Sequence, residues 1–244
     1  MTKHHIAQQY RTVSRLYPCL CTNKNKKGVK TMKEQNVIKL TNLENLTKTA
    51  YVTIEGTTDL VLNKMNARST RSLIAEDRKK VREVPNAWED VITAIHWRDD
   101  LPIKDTYTGS TEDVFKKMLT ENAPCITTFG LKKSFGDAVV RNEIDKYKTK
   151  FDNAVNVVAE RGLVPITFTS WSLDERLMSP KKGAPVTVRL SHFSGWRATF
   201  RIDYTEHVFS LEQIVNIINL AGFGLGIGSG RTSGYGRYKV VGIE

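Results

Sequence analysis

Apolar residues recur along this chain at two different spacings, and each spacing predicts one kind of element. In residues 196–204 every second residue is apolar, which is the period of a strand that buries one face. The same alternation runs through residues 48–55. Short apolar runs that end at turn-prone residues have the composition of further strands. Together these patterns predict strands over residues 48–55, 124–129, 163–171, 184–190, 196–204 and 237–243.

Other stretches carry apolar residues at the spacing of a helix face. In residues 210–221, Ile214 and Ile218 recur on one side, as in an amphipathic helix. Ser210 and Gln213 stand at the two positions of a capping box, which marks a helix start. The same periodicity predicts a short helix over 86–97 and, with a break in its polar middle, helical structure over 131–161.

The order of these elements predicts an α+β fold. In chain order the main elements are β-α-β-β-α-β, which is the split βαβ or ferredoxin-like arrangement of an antiparallel sheet. The distance between the first strand and the first long helix requires a large insertion, over about residues 56–122. A glycine-rich loop precedes the last strand. With two helices on one face, the other face of the sheet stays open.

The glycine-rich loop is the most unusual stretch of the sequence, and it follows the last predicted helix. Glycine in ordered structure costs about 0.5–1 kcal/mol relative to alanine, so a role should offset that cost. A backbone without side chains can direct several N–H groups at a phosphate, and Arg231 and Arg237 can add contacts to phosphate oxygens. A flexible hairpin without a ligand remains the alternative. The glycines are Gly222, Gly224, Gly226, Gly228, Gly230, Gly234 and Gly236.

Two familiar nucleotide motifs are excluded by context. The dinucleotide fingerprint needs a strand before its glycines and a helix after them, whereas here the helix comes first. No lysine follows these glycines at the step that a P-loop requires. The segment is therefore not predicted to be a mononucleotide or dinucleotide fingerprint.

The charge is unevenly distributed. The chain of 244 residues carries a formal net charge of +11. Eight of its 37 basic residues and none of its 26 acidic residues lie in residues 1–33, which leaves a net charge of +3 for the rest. We therefore expect residues 1–47 to be a basic, flexible arm and residues 48–244 to be one domain, whose binding surface must come from local clustering.

Two local clusters of basic residues lie in the body of the chain. Arg68 and Arg71 belong to a basic, apolar-poor segment, residues 64–84, which is either a solvated loop or a contact to a polyanion. Arg197 and Arg201 stand on the polar side of the strand over residues 196–204. That side lacks the aromatic residues with which RNA-recognition motifs stack bases.

Cysteine and apolar content exclude several classes of protein. Three cysteines are too few for a disulfide scaffold, and Cys19 and Cys21 lack the second ligand pair of a structural zinc site. We expect no metal and no cofactor. No apolar run is long enough for a signal peptide or a membrane span. We therefore expect a cytoplasmic protein; the resemblance described next implies a bacterial or phage-infected host cell.

The segment GFGLGIGSGRTSGYGRYKV, residues 222–240, resembles the glycine-rich loop of the RAMP superfamily, the ferredoxin-like RNA-binding proteins of CRISPR systems. It is also similar to phage proteins related to the backbone subunits of CRISPR effector complexes. FGLKKSFGDAVVR, residues 129–141, is similar to the basic helix of such subunits. The resemblance implies that the loop glycines, Arg231 and Arg237 touch a nucleic-acid backbone, with Lys132 and Lys133 near the same ligand.

The sequence therefore favours a non-catalytic protein that binds single-stranded nucleic acid, RNA ahead of DNA, and that assembles along the strand or with an effector-type complex. One alternative is an anti-defence protein that mimics or blocks an effector subunit. A second is a metal-independent endoribonuclease, for which His192 and His207 are the isolated candidate bases. A third is a protein that holds a small nucleotide in the glycine loop.

Overall fold

A computed structural model of the protein describes residues 46–74, 86–101, 109–178 and 186–244. The predicted arm (1–47, except its last two residues), the cysteines Cys19 and Cys21, and part of the basic segment 64–84 lie outside these ranges. The described elements are the strands β1 (Lys48–Gly56), β2 (Leu60–Leu62), β3 (His96–Trp97), β4 (Pro124–Thr127), β5 (Val155–Val158), β6 (Leu163–Thr167), β7 (Ser170–Met178), β8 (Val186–Ser194), β9 (Arg197–Tyr204) and β10 (Tyr238–Ile243), and the helices α1 (Ala67–Ile74), α2 (Ala87–Thr93), α3 (Thr111–Glu121), α4 (Thr128–Arg141), α5 (Thr149–Ala154) and α6 (Leu211–Gly224).

The larger sheet has seven strands in the order β10-β1-β9-β6-β4-β3, and β5 also pairs with β9. Its strand pairs are antiparallel, and the register of β1 against β9 sets Val52 opposite Phe200. Alternate residues of both strands are buried on one face, as the period of two predicted. The α+β class predicted from the sequence is confirmed.

Helices α4 and α6 cover the buried face of this sheet. The Phe135 ring of α4 lies 6.0 Å from the Phe200 ring of β9, in a stacked arrangement. The side-chain amide oxygen of Asn219 on α6 accepts a hydrogen bond of 2.8 Å from the Val240 N–H of β10. On the opposite face Tyr51 is exposed. Helices α4 and α6 therefore lie on one side of the sheet, and the exposed Tyr51 lies on the other.

A second sheet, in the order β2-β8-β7, lies outside the predicted topology. Its inner face packs against α3, where Phe115 makes an edge contact of 5.1 Å with Trp171 and contacts Phe193 as well. The sequence pattern predicted the strand 184–190 but not its sheet, because the alternation of a strand carries no information on its partner.

Several elements differ from the sequence prediction. The helical stretch predicted with a break over residues 131–161 is divided into α4 and α5, but residues 155–158 form a strand paired with β9. Three of these four residues are valine, which suits a pleated strand. The helix predicted over 86–97 ends at Thr93, and the strand predicted over 163–171 is divided between β6 and β7. Helices α1 and α3 lie in segments predicted to be loop. α3 begins at the Ser110 cap, whose side chain accepts the Asp113 N–H.

No described helix combines the length and apolar composition that are needed to cross a bilayer.

Candidate nucleic-acid interface

Several glycines of segment 222–240 are required by the packing of the backbone. Gly236 has a φ of 71°, and a Cβ at this residue would overlap the carbonyl oxygen of Ile227. Gly228 has a φ of 77°, and a Cβ there would press into the Val61 carbonyl. Both positions therefore require glycine for steric reasons. Much of the glycine content is thus explained by the fold and not by a ligand.

Hydrogen bonds join this segment to the chain that follows β1. The Ser229 N–H donates to the Val61 carbonyl at 2.8 Å, and the Gly236 N–H donates to the Asp59 carbonyl at 2.8 Å. The Ser229 hydroxyl donates to the Asn63 carbonyl at 3.1 Å. These bonds hold residues 226–237 as a fixed turn, so the side chains that it carries have defined positions.

A cleft of about 240 Å³ lies beside this turn. Its walls are the residues after β2, the end of β4 with the start of α4, and the turn itself. Four of the lining residues carry basic side chains, and among the described residues that line it none is aspartate or glutamate. Such a surface attracts anions. The basic residues are Lys64, His96, Lys133 and Arg231.

The first turn of α4 forms part of the wall. Thr127 caps this 14-residue helix, and its hydroxyl accepts the Gly130 N–H at 3.0 Å. The first turn contains no acidic residue. Because the amino end of a helix carries partial positive charge, it adds to the attraction of the basic side chains for an anion. The cleft therefore combines basic side chains with the amino end of a helix.

Burial and like charge disfavour the charged forms of two basic residues in the cleft. Burial lowers the pKa of Lys64. Burial also lowers the pKa of His96, and the charge of Lys64 lowers it further. In both cases a nearby anion such as phosphate would favour the charged form. Burial raises the pKa of the Cys125 thiol at the cleft wall to about 11, so this thiol is neutral at pH 7 and is no nucleophile.

The structure brings three of the predicted site residues together in this cleft. Gly228, Arg231 and Lys133 all line it. Sequence reasoning missed His96, and it named Lys64 only as one member of the basic segment. No local pattern marks His96, because it stands at a strand end and reaches the cleft through the tertiary fold. The remaining predicted glycines lie at the end of α6 or within the turn: Gly224, Gly226, Gly230, Gly234 and Gly236.

Two predicted residues lie close to the cleft but point to protein groups. Lys132 donates a hydrogen bond of 2.7 Å to the side chain of Asn156. Arg237 is half-buried and donates one of 3.3 Å to the Arg231 carbonyl. The Nη1 atom of Arg237 is buried without a hydrogen-bond partner among the described residues. Contact of these two side chains with nucleic acid stays a prediction.

Four other predicted residues lie away from the cleft and form ion pairs. Arg197 pairs with Glu55, and Arg201 pairs with Asp203 at 3.1 Å, on the sheet face opposite the helices. On α1, both arginines pair with acidic residues of α2. The pairs are Arg68 with Asp90 at 2.7 Å and Arg71 with Glu89 at 3.1 Å. Their binding to nucleic acid also stays a prediction.

The open sheet face has its own depression, of about 480 Å³. Arg98 and Arg161 line it, but so do Asp99 and Glu160. Arg98 donates to Asp99 at 2.9 Å, so its charge is already balanced. This depression shares no lining residue with the basic cleft, and its mixed charge suits a polyanion less well.

The two histidines considered for RNA cleavage occupy different environments. His192 is 6% exposed. Its Nε2 lies 3.8 Å from the Asp174 carboxylate, and its ring contacts Tyr235 edge-on at 5.2 Å. The sequence did not reveal these neighbours, which are distant along the chain. A general base must reach the hydroxyl that it deprotonates, and burial restricts access to the His192 ring. His207 lies exposed in the turn after β9.

Comparisons with known proteins gave structural neighbours only. No protein-family model and no curated protein matches the chain. It is similar to a chain of the cryo-EM structure of the type III-B Cmr-beta bound to cognate target RNA, with 15% identity and a TM-score of 0.45, covering 82% of this chain and 61% of that chain. It is also similar to Cmr6 from Pyrococcus furiosus, with 9% identity and a TM-score of 0.35, covering 81% of this chain and 99% of that chain. Both TM-scores are below 0.5, so the likeness assigns neither a family nor a function to this chain.

Proposed function

We propose that this protein binds single-stranded nucleic acid without cleaving it and that the basic cleft holds the phosphate backbone. The observation that carries the proposal is the grouping of Lys64, Lys133 and Arg231 around the first turn of α4, with no acidic residue among the described lining residues. Fixed cations beside a helix amino end are the usual means of binding phosphate. The resemblance of segment 222–240 to an RNA-binding superfamily favours RNA over DNA.

We further propose that the core of the protein is a ferredoxin-like unit made of β1, α4, β5 with β6, β9, α6 and β10. The strand order β10-β1-β9-β6 supports this, because the second strand of a split βαβ pair returns beside the third and the last strand pairs with the first. In this arrangement the insertion after β1 supplies Lys64 and His96, and the end of the unit supplies Arg231.

The dependence of affinity on salt tests the proposed site. Each phosphate that is neutralised on a single strand contributes about −0.7 to the slope of log affinity against log salt. We expect Lys133→Ala and Arg231→Ala each to weaken binding of a labelled RNA oligonucleotide and to flatten this slope. Lys146→Ala is the matched control, since it removes one exposed charge beyond the opposite end of α4. It should leave the slope unchanged.

The same assay separates the remaining possibilities. RNA and DNA strands of one sequence, used as competitors, measure the preference for RNA, and strands of increasing length measure assembly along the strand. Arg197→Ala and Arg201→Ala test whether the open sheet face takes part. If the wild-type protein fails to retain labelled single strands at low salt, the proposal is wrong. Capture of an effector complex by protein free of nucleic acid would then favour the anti-defence alternative.

A further inference from the structure

Two phenylalanine side chains of the helix layer stand almost fully in solvent. Phe129 is 75% exposed and Phe223 is 86% exposed, which makes them the two most exposed aromatic residues in the described part of the chain. Phenylalanine has no polar atom with which to interact with water, and its ring offers a large flat apolar surface. Exposed aromatic rings of this kind are available to stack against a flat ligand.

Both rings lie on the outer face of their helices. In α4 the buried residues include Leu131 and Phe135, so Phe129 points away from the sheet. Lys133 follows Phe129 by four residues and therefore shares its face. In α6 the buried residues include Ile218 and Gly222, which directs Phe223 to the solvent as well.

Both rings lie close along the chain to residues of the basic cleft. Phe129 precedes Gly130, which lines the cleft, and Phe223 precedes the lining residue Ile227 by four positions. The Ser134 hydroxyl in the middle of α4 donates a hydrogen bond of 3.0 Å to the Gly226 carbonyl, three residues after Phe223, so α4 contacts the chain that leaves α6. Lys133, on the same helix face as Phe129, itself lines the cleft.

We propose that Phe129 and Phe223 stack against unpaired bases of the strand whose phosphates occupy the cleft. This inference rests on the proposed function and adds how the protein selects single strands. An aromatic ring beside a lysine on one helix face matches a nucleotide, because the base stacks and the phosphate is neutralised. Bases in a duplex are already stacked on their neighbours, so neither ring can receive one without unstacking it.

Removal of the rings tests the proposal. Phe129→Ala and Phe223→Ala should each weaken binding of a single-stranded oligonucleotide by roughly 5- to 100-fold, the effect typical of losing one base–aromatic stack. Since no charge is removed, the salt slope should stay as in the wild type. Phe129→Trp and Phe223→Trp should keep the affinity. Tyr147→Ala is the matched control, because Tyr147 is a 63% exposed ring beyond the far end of α4.

A second experiment measures the binding of an abasic strand of equal length. The wild type should bind it more weakly than the normal strand, each alanine variant should show a smaller difference, and the double variant Phe129→Ala/Phe223→Ala should bind both strands equally. Unchanged affinity of both variants for the normal strand, with binding still weakened by Arg231→Ala, would overturn the stacking proposal and leave the proposed function intact. If the variants keep their affinity for the strand but lose self-association, measured by light scattering without nucleic acid, the rings belong to a protein contact. If no strand binds the wild type, both proposals fall.

Discussion

Individual glycines in the turn after α6 differ in what they do. Gly236 combines a φ of 71° with a Cβ position that is occupied by the Ile227 carbonyl oxygen. Gly234 has a φ of 88°, yet no atom lies within 4 Å of its Cβ position. The first residue faces both torsional strain and overlap with a rigid backbone, whereas the second faces torsional strain alone.

We therefore predict that Gly236→Ala lowers the free energy of unfolding by more than about 2 kcal/mol, and that Gly234→Ala lowers it by only about 1–2 kcal/mol. Urea unfolding followed by tryptophan fluorescence measures both values. Equal losses in the two variants would show that the carbonyl of Ile227 moves aside, and would contradict the packing described for the turn.

His96 supplies a dependence on pH. Burial and the charge of Lys64 lower its pKa in the free protein, so the unfolded chain binds this proton more tightly and stability should fall as the pH drops below about 6.5.

His96 should also make the proposed binding depend on pH. A bound phosphate stabilises the protonated ring and raises its pKa, so affinity should rise as the pH falls from 7.5 to 6. In His96→Gln the rise should be smaller, as fluorescence polarisation at constant salt can measure. An identical rise in both proteins would remove His96 from the site.

Some residues of the cleft could be selected from the sequence, by composition and by resemblance. Glycine, arginine and lysine in segments 222–240 and 129–141 drew attention by composition and by resemblance, and Gly228, Arg231 and Lys133 do meet in the cleft. The expected role of the glycines as N–H donors to phosphate did not foresee that several are required by backbone contacts. Lys64 and His96 could not be placed, because their neighbours in space are distant in sequence.

At the scale of elements, local signals worked where the structure is locally determined. The capping box at the start of α6 forms as the sequence predicted: the Gln213 N–H donates to the Ser210 hydroxyl at 3.2 Å, and the Gln213 side chain accepts the Ser210 N–H at 3.0 Å. The predicted bounds of that helix, 210–221, were also close to the observed ones, Leu211–Gly224. Both features depend on residues within one helical turn.

This cap gives a prediction for the element itself. Ser210→Ala removes the acceptor for the Gln213 N–H and should lower the free energy of unfolding by about 1 kcal/mol. Ser210→Asp keeps an acceptor and adds a favourable charge at the helix start, so it should retain the stability of the wild type. Thermal unfolding of the three proteins measures the difference. A loss in Ser210→Asp as large as that in Ser210→Ala would contradict the role of the cap.

Elements whose state depends on distant partners could not be predicted. Residues 151, 154, 155 and 158 are apolar at helical spacing, yet the chain leaves the helix at Ala154 because Val157 pairs with Ile202 of β9. The pairing overrides a weak local preference. The second sheet was missed for the same reason, since β8 takes its neighbours from β2 and β7 and not from β9.

At the scale of the whole molecule, the basic arm and the cleft should each contribute to the proposed binding. Removing residues 1–33 takes away eight basic residues and lowers the net charge from +11 to +3. We predict that this shortened protein binds single strands more weakly and with a flatter salt slope, because fewer cations meet the polyanion. Arg231→Ala should flatten the slope further in both lengths of protein. Complete loss of binding in the shortened protein would assign the proposed binding to the basic arm and not to the cleft.

The hydrogen bonds between the glycine turn and the chain after β1 join residues that are synthesised far apart in time. The bond from Ser229 to Asn63 joins residues 166 positions apart, and the bond from Thr58 to Gly234 joins residues 176 positions apart. A ribosome that adds about 5–20 residues per second needs roughly 8–35 seconds to make the intervening chain. During that interval Lys64, and later Lys133, are present without Arg231 and without the fixed turn. A nascent chain therefore emerges with an incomplete cleft, and the proposed site is completed only after translation has passed residue 236.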